Sequence, residues 1–431
     1  MIRASTAEEA ASSPPVTYAT AGKRGFKRVY GLLLFTLPPL VYYLWICARY
    51  HGGALVVPSS REEITRFLGH VPLPTAASVA FCAGWFGLQI LLQMFAPGRI
   101  TEGVPLADGT RLTYRMNGWF SWWFTLALVA ALVGLQVIPS TFLYDQFGPL
   151  LTTFNLVAFA FSVYLHWHGR HREKDESTGR PLYDFFMGTS LNPRIRGFDL
   201  KLFCEARPGL ILWILINASI AAKQRELHGS LSTAMILVNA FHFLYIVDYF
   251  FNEEAVLTTM DIRHEKFGWM LCWGDLVWVP FTYTLQAQYL AHHPHSLPVW
   301  AVVAITLLNL AGYAVFRRSN LQKHRFRAHP EASIWGRPPE SIRTRSGALL
   351  LASGWWGIAR HPNYLGDLMM ALAWCLPCLF RHVLPYFYVI YFTMLLIDRE
   401  RRDNEMCHAK YGADWETYQQ KVRWRILPGV Y

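Results

Sequence analysis

Long apolar runs alternate with shorter polar segments along almost the whole of the 431-residue chain. A bilayer core of about 30 Å requires roughly 20 residues of helix, and most of these runs have about that length. We predict eight membrane spans, at about 28–50, 74–96, 119–138, 149–167, 208–222, 231–252, 268–291 and 298–316. A further run, Leu365 to Asp398, is too long for one span. Arg381, His382 and Pro385 in its middle predict a tight hairpin between two spans, which makes ten spans in all.

Composition agrees with this pattern. The chain is 53% hydrophobic and 16% charged, against roughly 25% charged residues in an ordinary soluble domain. It contains 17 Trp and 21 Tyr, whose apolar bodies and polar tips suit a bilayer interface. We therefore predict an all-α integral membrane protein, with residues 1–22 as a disordered polar tail and residues 23–431 as one membrane domain. Within that domain, about 28–316 holds the first eight spans and 317–431 the last two.

The basic residues follow the predicted membrane sides. With ten spans, both termini lie on one side, and that side holds 34 of the 40 Lys and Arg residues. The remaining basic residues are Arg49, Arg61, Arg66, Lys223, Arg225 and Arg381. Because basic residues concentrate in cytoplasmic loops, we expect both termini in the cytoplasm. The net charge of +11 is thus explained by membrane topology, and we predict no nucleic-acid partner.

A basic cluster follows the eighth span, in the segment NLQKHRFR (320–327). Lys323 and Arg327 are four residues apart, so they share one face of a helix, whereas Arg325 points elsewhere. Two cations one turn apart suit a phosphate group, which Arg binds with a bidentate fork. Contact with lipid head groups is the alternative that this segment leaves open.

The chain after the last span carries a polar stripe. Arg399, Asp403, Cys407 and Tyr411 follow one another at four-residue steps, and Tyr418 lies further on. A helix face that carries a guanidinium, a carboxyl, a thiol and a phenol is unsuited to contact with lipid. It predicts either the wall of a polar cofactor site or a solvated amphipathic helix.

The segment GWWGIARHPNYLGD (354–367) is dense in aromatic, donor and acceptor groups. Pro362 favours an extended residue before it and the start of a helix after it. Asn363, Tyr364 and Asp367 then lie on the first turns of that helix. Helix capping explains part of this pattern, but the density of polar groups favours a ligand site.

Polar side chains also occur inside the sixth span. Asn239, His242, Tyr245 and Asp248 recur at three-residue steps, and Asp275 lies in the seventh span. Ionisable groups are costly within a membrane and indicate a functional cavity. Cys375-x-x-Cys378 has the spacing of a redox or zinc pair, but it lies in an apolar helix without further ligands. We therefore predict that it packs in the core, and we predict no metal site.

Several long motifs resemble the sterol reductase family, which includes Δ14-sterol reductases, 7-dehydrocholesterol reductase and the membrane half of the lamin B receptor. They are LYDFFMGTSLNPR, FCEARPGL, EEAVLTTMDIRHEKFGWMLCWGDLVWVPFTYTLQAQYL, LLASGWWGIARHPNYLGDL, PYFYVIYFTMLLIDRERRD and KYGADWETYQQKVRWRILPGVY. The likeness extends from about residue 25 to the C-terminus. The segment GWWG…RHPNYLGD followed by LAWCLPC is most similar to the Δ14 branch.

The resemblance implies ten transmembrane helices and an NADPH site in a C-terminal cytoplasmic pocket. Lys323 and Arg327 would bind the NADPH phosphates, and Tyr245 and Asp403 would lie near the reacting centre. The residues that would line the cofactor are Leu351, Trp356, Asn363, Tyr364, Asp367, Arg399, Asp403, Cys407, Tyr411 and Tyr418. The sequence has no G-x-G-x-x-G turn, so a Rossmann-type site is not expected.

The resulting hypothesis is NADPH-dependent reduction of the C14=C15 bond of a sterol that enters from the bilayer, with no obligatory protein partner. An alkene needs protonation before hydride attack, so we predict Tyr245 as the proton donor and Asp403 as a proton supplier or cofactor orienter. The membrane would be the endoplasmic reticulum in a eukaryote or the inner membrane in a bacterium.

Three alternatives remain open from the sequence. The first is Δ7 reduction. The second is a membrane isoprenylcysteine carboxyl methyltransferase, which uses S-adenosylmethionine and has a similar RHPNY.G segment and tail but is shorter. The third is a receptor or scaffold without enzymatic activity.

Overall fold

The computed structural model describes residues 29–106, 109–172 and 176–431, so the tail predicted at 1–22 lies outside the described residues. The chain is mostly helical and divides into two compact units, one ending at Pro294 and one running from His295 to Tyr431. That residues 23–431 act as one membrane domain stays a prediction.

The first unit contains the helices α1 to α14. They are α1 Val29–Tyr50, α2 Arg61–Gly69, α3 Ala76–Phe95, α4 Gly118–Gly134, α5 Phe142–Asp145, α6 Phe147–His171, α7 Pro181–Met187, α8 Leu200–Ala206, α9 Pro208–His228, α10 Thr233–Phe251, α11 Met260–His264, α12 Trp269–Trp273, α13 Val279–Thr282 and α14 Leu285–His292. Helix α9 is central: Ile211, Leu212, Trp213 and Ile216 are fully buried.

Two predicted spans take a different form from the one expected. The span expected at 208–222 is longer, because Asp199 caps α8 and Pro208 starts α9 directly after it; a proline needs no hydrogen-bond acceptor at this position. The span expected at 268–291 is not one continuous helix. It is divided into α12, a π-helical turn at Gly274–Trp278, α13 and α14. Pro280 lacks the N–H that a continuous helix would use here.

Within the described residues, three two-stranded antiparallel sheets lie in segments that the sequence predicted to be loops, so the fold is not purely α-helical. They pair β1 Arg99–Pro105 with β2 Arg111–Met116, β3 Arg194–Ile195 with β4 Phe198–Asp199, and β5 Ser341–Arg343 with β6 Leu349–Leu351. In the longest sheet Thr101 is paired with Tyr114, and Tyr114 packs in a small core with Leu202 and Val256.

The second unit contains the helices α15 to α19. They are α15 Val299–Ala328, α16 Trp355–Ile358, α17 Pro362–Cys375, α18 Phe387–Tyr411 and α19 Ala413–Lys421. The apolar run from 365 is interrupted between α17 and α18, as the hairpin prediction required. Helices α15 and α17 pack at glycine: a Cβ on Gly366 would lie 2.5 Å from the Phe316 nitrogen and 2.6 Å from the Gly312 oxygen.

Among the described residues, six helical segments are long and apolar enough to cross a membrane. They are Tyr30–Tyr50, Ala76–Phe95, Phe147–His171, Leu200–His228, Thr233–Phe251 and Val299–Ala328. Trp300 and Leu307 on α15 are 75% and 61% exposed, which suits a face in contact with lipid. These segments support an integral membrane protein, while the total of ten spans stays a prediction.

Candidate functional site

The basic pair predicted at the end of the eighth span lies on a continuous helix. Helix α15 extends beyond the apolar residues to Ala328, so Lys323 and Arg327 are one turn apart, as the sequence predicted. The Lys323 Nζ lies 3.7 Å from the ring centroid of Trp356, close enough for a cation–π interaction. Arg327 is exposed.

Trp356 is held through both its indole ring and its backbone. Its Nε1 donates a hydrogen bond of 2.8 Å to the Ser319 oxygen on α15, and its own carbonyl accepts one of 3.4 Å from the Tyr418 hydroxyl. Leu351 and Phe326 pack against it in a buried cluster. The ring is therefore rigidly placed under the Lys323 ammonium.

The turn into α16 brings the backbone close to α15. Gly354 has a φ of +60°, and a Cβ there would lie 2.4 Å from the Gln322 side chain. The Gln322 Oε1 accepts a hydrogen bond of 2.8 Å from the Trp355 nitrogen. Only glycine can adopt this positive φ and also leave room for the Gln322 side chain.

The start of α17 carries the residues predicted from the RHPNY segment. Tyr364 stacks on the His361 ring, with centroids 4.7 Å apart and planes 12° from parallel. The Asn363 Oδ1 is buried and receives no hydrogen bond within the described part of the chain. Asp367 follows one turn later and interacts electrostatically with Arg399. An unsatisfied buried acceptor beside an aromatic pair suits the amide and ring groups of a nucleotide.

The polar stripe predicted after the last span lies on α18. Since this helix continues to Tyr411, Arg399, Asp403, Cys407 and Tyr411 do share one face. The Cys407 Sγ donates to the Asp403 Oδ2 at 3.9 Å. Burial raises the pKa of Cys407 to about 12, with a further increase from Asp403, so the thiol is protonated at neutral pH.

Asp403 lies close to the Lys323 ammonium and to the His361 ring. Burial raises the pKa of its carboxyl, and the neighbouring Lys323 ammonium acts in the other direction. The His361 Nε2 lies 3.6 Å from the Asp403 Oδ2. A carboxyl with a raised pKa and a nearby cation is suited to exchanging a proton at a functional site.

Helix α19 closes this part of the unit. Tyr418 stacks on Trp415 with ring centroids 5.0 Å apart, and both are buried together with Ala352 and Val422. Cys407 and Tyr411 pack against this cluster. Burial raises the pKa of Tyr418 well above its usual range, so its phenol remains a hydrogen-bond donor.

Contacts thus connect most of the predicted cofactor residues within the second unit. Lys323, Trp356, Tyr418 and Leu351 form one connected group, and Asp403 and Cys407 interact electrostatically with Lys323. His361 connects Tyr364 to Asp403. Arg327 acts electrostatically on Lys323, and Arg399 acts on both Asp403 and Asp367. The position of Asn363 relative to this group follows from α17, which carries it.

Tyr245, the predicted proton donor, lies on α10 in the first unit. It is half-buried, with its ring 6.3 Å from that of Trp213. On the same face, the His242 Nδ1 and the Asn217 Nδ2 are 2.8 Å apart, and Asn252 donates to Asp248 at 3.2 Å. The predicted polar stripe is therefore hydrogen-bonded at several points, and the proximity of Tyr245 to Asp403 stays a prediction.

Four residues near the site were not singled out from the sequence. His361 contacts Asp403, and the buried Glu400 accepts hydrogen bonds from Arg425 at 3.0 Å and from the Tyr431 hydroxyl at 3.1 Å. The RHPNY segment and the terminal WRILPGVY were visible as motifs, but their mutual contact was not.

The described residues contain no group of three or more His, Cys, Asp or Glu side chains arranged to hold a metal ion. Cys375 and Cys378 are both buried and are not joined in a disulfide. The side chains of the candidate site in the second unit are instead mainly cationic and aromatic. Such a lining suits an organic phosphate such as a dinucleotide.

The chain matches the Ergosterol biosynthesis ERG4/ERG24 family over residues 20–431. It is 57% identical over 414 residues to a protein named Delta(14)-sterol reductase from Methylotuvimicrobium alcaliphilum, covering 96% of this chain and 97% of that one. A Delta(14)-sterol reductase from Dictyostelium discoideum is 46% identical, with 93% and 90% covered. A 7-dehydrocholesterol reductase from Xenopus laevis is 39% identical, with 93% and 91% covered. The chain therefore belongs to the Ergosterol biosynthesis ERG4/ERG24 family, and the resemblance to sterol reductases that its motifs indicated is confirmed.

Proposed function

We propose that this chain is a membrane-bound oxidoreductase that reduces the C14=C15 double bond of sterol intermediates in sterol biosynthesis, with NADPH as the cofactor. Relatives named Delta(14)-sterol reductase match it over more than nine-tenths of its length at 57% and 46% identity. The observation that carries the cofactor assignment is the Lys323 ammonium fixed over Trp356, beside Asp403 and Cys407.

The residues of the second unit fit a dinucleotide. Lys323 and Arg327 supply two cations one turn apart for phosphate oxygens, and the buried Asn363 Oδ1 offers an acceptor for an amide or amine. Trp356, Tyr364 and Tyr418 supply flat surfaces and a phenolic donor. Leu351, Asp367, Arg399, Cys407 and Tyr411 would complete the lining. Bound there, NADPH would supply the hydride for carbon 14 of the sterol.

The protein has to supply the proton. Addition of H⁺ to carbon 15 places a positive charge on carbon 14, where it is tertiary and most stable. Tyr245 is the proposed donor, because a half-buried phenol on a membrane helix can transfer a proton within a site that excludes water. Asp403, with its raised pKa, would return a proton to the donor or orient the cofactor. Hydride addition to carbon 14 would complete the C14–H bond, so one proton and one hydride would be consumed per double bond.

The sterol would enter from the bilayer, where its apolar skeleton dissolves. The asymmetric distribution of Lys and Arg supports cytoplasmic termini, with the nucleotide reaching the second unit from the cytoplasm. We place the protein in the endoplasmic reticulum of a eukaryote or the inner membrane of a bacterium, without an obligatory protein partner and without nucleic acid.

The test is a reduction assay with the purified protein in detergent, NADPH, and separate Δ14, Δ7 and Δ24 sterols, with products identified by mass spectrometry. We expect a product two mass units heavier only from the Δ14 sterol and only with NADPH. Replacing NADPH with S-adenosylmethionine should give no product, which separates reduction from methyl transfer. Reduction of another alkene alone would overturn the Δ14 assignment.

A Δ7 activity is the second candidate, because a 7-dehydrocholesterol reductase is also 39% identical over nearly the whole chain. The same panel decides between the two, since they share the cofactor and differ only in the double bond. If neither NADPH binding nor any reduction is found, a non-enzymatic membrane receptor remains as the explanation of the fold.

A further inference from the structure

The C-terminal segment is joined to the turn that precedes α17. The Arg360 nitrogen donates to the Trp424 oxygen and the His361 nitrogen donates to the Arg425 oxygen, each at 2.9 Å. Two successive backbone hydrogen bonds fix the direction as well as the position of this turn. The backbone of His361 is thus held from the end of the chain.

The same segment is joined to α18 through Glu400. The Glu400 side chain is 1% exposed and pairs with the Arg425 guanidinium at 3.0 Å. The Tyr431 hydroxyl donates to the same Glu400 oxygen at 3.1 Å, and Arg425 also contacts that hydroxyl at 3.3 Å. Charge-assisted hydrogen bonds are stronger than neutral ones, and here the carboxylate end is buried while Arg425 is partly exposed. Arg425 therefore connects the backbone of His361 to the helix that carries Asp403.

These hydrogen bonds hold the His361 ring at a fixed position beside the Asp403 carboxyl. The His361 Nε2 is 3.6 Å from the Asp403 Oδ2, and stacking on Tyr364 restrains the ring plane. The residue is 7% exposed. A movement of a few tenths of an ångström would turn this contact into a hydrogen bond, since N–H···O bonds reach about 3.2 Å.

We propose that His361 is a positioning residue that orients the Asp403 carboxyl for sterol reduction, held in place by Arg425 and Glu400. This inference rests on the proposed function, in which Asp403 supplies a proton or orients the cofactor. The proposed phosphate-binding cations are Lys323 and Arg327, so replacing His361 or breaking the Arg425–Glu400 pair is expected to lower turnover more than cofactor affinity.

The charges around the two groups explain why an imidazole suits this position. His361 faces Lys323 and Arg360, and burial together with these cations lowers the pKa of His361 to about 3. A neutral ring can hydrogen-bond to a carboxyl without adding charge beside the cofactor. Asp403 faces Lys323, Arg399, Glu400, Cys407 and Tyr418. Lys323, Arg399 and Glu400 already place charge around the carboxyl, so a neutral hydrogen-bonding partner adds orientation without adding charge.

The test compares His361→Phe and His361→Gln with the unchanged protein. In His361→Phe, kcat should fall by about tenfold or more, because a misplaced catalytic group costs up to about a hundredfold. The NADPH Kd, measured by fluorescence titration, should stay within about threefold. The alkaline limb of the kcat–pH profile should move to higher pH, because Asp403 supplies a proton only while it is protonated and an apolar ring raises the pKa of this neighbouring carboxyl. His361→Gln retains a hydrogen-bonding amide and should recover part of kcat.

His408→Gln is the matched control, since His408 lies on the same helix as Asp403 and contacts the exposed Glu416 at 3.2 Å. It should change neither kcat nor the pH profile. If His361→Phe does not fold, His361→Gln decides: a pH profile and kcat equal to those of the unchanged protein overturn the proposal. A proportional loss of NADPH binding and turnover also overturns it, in favour of a purely structural role. Should the unchanged protein itself reduce no sterol, the proposed function fails instead.

Discussion

Exchanging Lys323 for methionine tests the proposed cofactor site most directly. The Lys323 ammonium lies 3.7 Å from the Trp356 ring centroid, on a half-buried stem. Methionine retains an unbranched apolar chain that can still pack against Trp356, but it carries no charge. The substitution therefore removes the cation while it preserves most of the packing, so the fold of α15 should be retained.

The expected loss follows from one charge-assisted hydrogen bond to a phosphate. Such bonds contribute about 1.5–3 kcal/mol, which corresponds to a roughly 10- to 150-fold increase in the NADPH Kd. The cation–π contact with Trp356 exists before the cofactor binds, so its loss adds little to this difference. Binding to the unchanged protein should also weaken with salt more steeply than binding to the variant, because salt screens the phosphate–lysine attraction.

The assay is a titration of detergent-solubilised protein with NADPH, followed by nucleotide fluorescence at two salt concentrations. Arg325→Met is the matched control: it removes a cation two positions away on the same helix, from a residue that is exposed and lies on another face. An NADPH Kd that rises equally in both variants would refute the reasoning, because a general loss of positive charge would then explain the result. Unchanged affinity in Lys323→Met would remove Lys323 from the site.

Three further predictions follow from the same structure. Tyr245→Phe should lower kcat by about 10²- to 10⁴-fold without changing the NADPH Kd, and sterol product analysis beside the titration checks both. Gly366→Ala should destabilise the protein by about 1–3 kcal/mol, because its Cβ would lie 2.5 Å from the Phe316 nitrogen, whereas Gly87→Ala meets no atom within 4 Å; thermal unfolding compares them. The pKa of His361 is lowered from 6.5 to about 3, so the unfolded chain takes up this proton first as the pH falls. The stability that the neutral His361 ring contributes is fully present above pH 6.5. Between pH 6.5 and pH 3 the free energy of unfolding falls by at most about 1.4 kcal/mol per pH unit through this residue. The free energy of unfolding of His361→Gln should therefore decline less steeply with falling pH.

The apolar pattern determined the positions of several long helices. Spans predicted at 28–50, 74–96 and 231–252 correspond to α1, α3 and α10 within two residues at each end. This agreement has a physical basis, because in a bilayer every backbone polar group must be satisfied within the helix itself. Helical periodicity alone was enough to assign the polar stripe from Arg399 to Tyr411 to one face, because residues at four-residue steps lie on the same side of a helix.

Other features depended on contacts between distant parts of the chain. The sequence predicted one continuous span at 268–291, but the interruption at Gly274–Trp278 accompanies the close packing of α9, where a Cβ on Gly209 would lie 1.9 Å from the Asp275 oxygen. The hairpins at Arg99–Met116 and Ser341–Leu351 were also expected as loops. Short strands carry a weak local signal, since pairing with a partner strand is what stabilises them.

The site itself was only partly visible in the sequence. The sequence motifs indicated Lys323, Trp356 and Asp403 as site residues. The packing of α15, α17 and α18 decided which of these side chains are in contact. The glycine contact between Gly312 and Gly366 brings α15 and α17 together. The contact of His361 with Asp403 follows from tertiary packing as well. Local sequence decides where helices form and which residues share a face, whereas distances between faces depend on side-chain packing between helices, which no periodicity encodes.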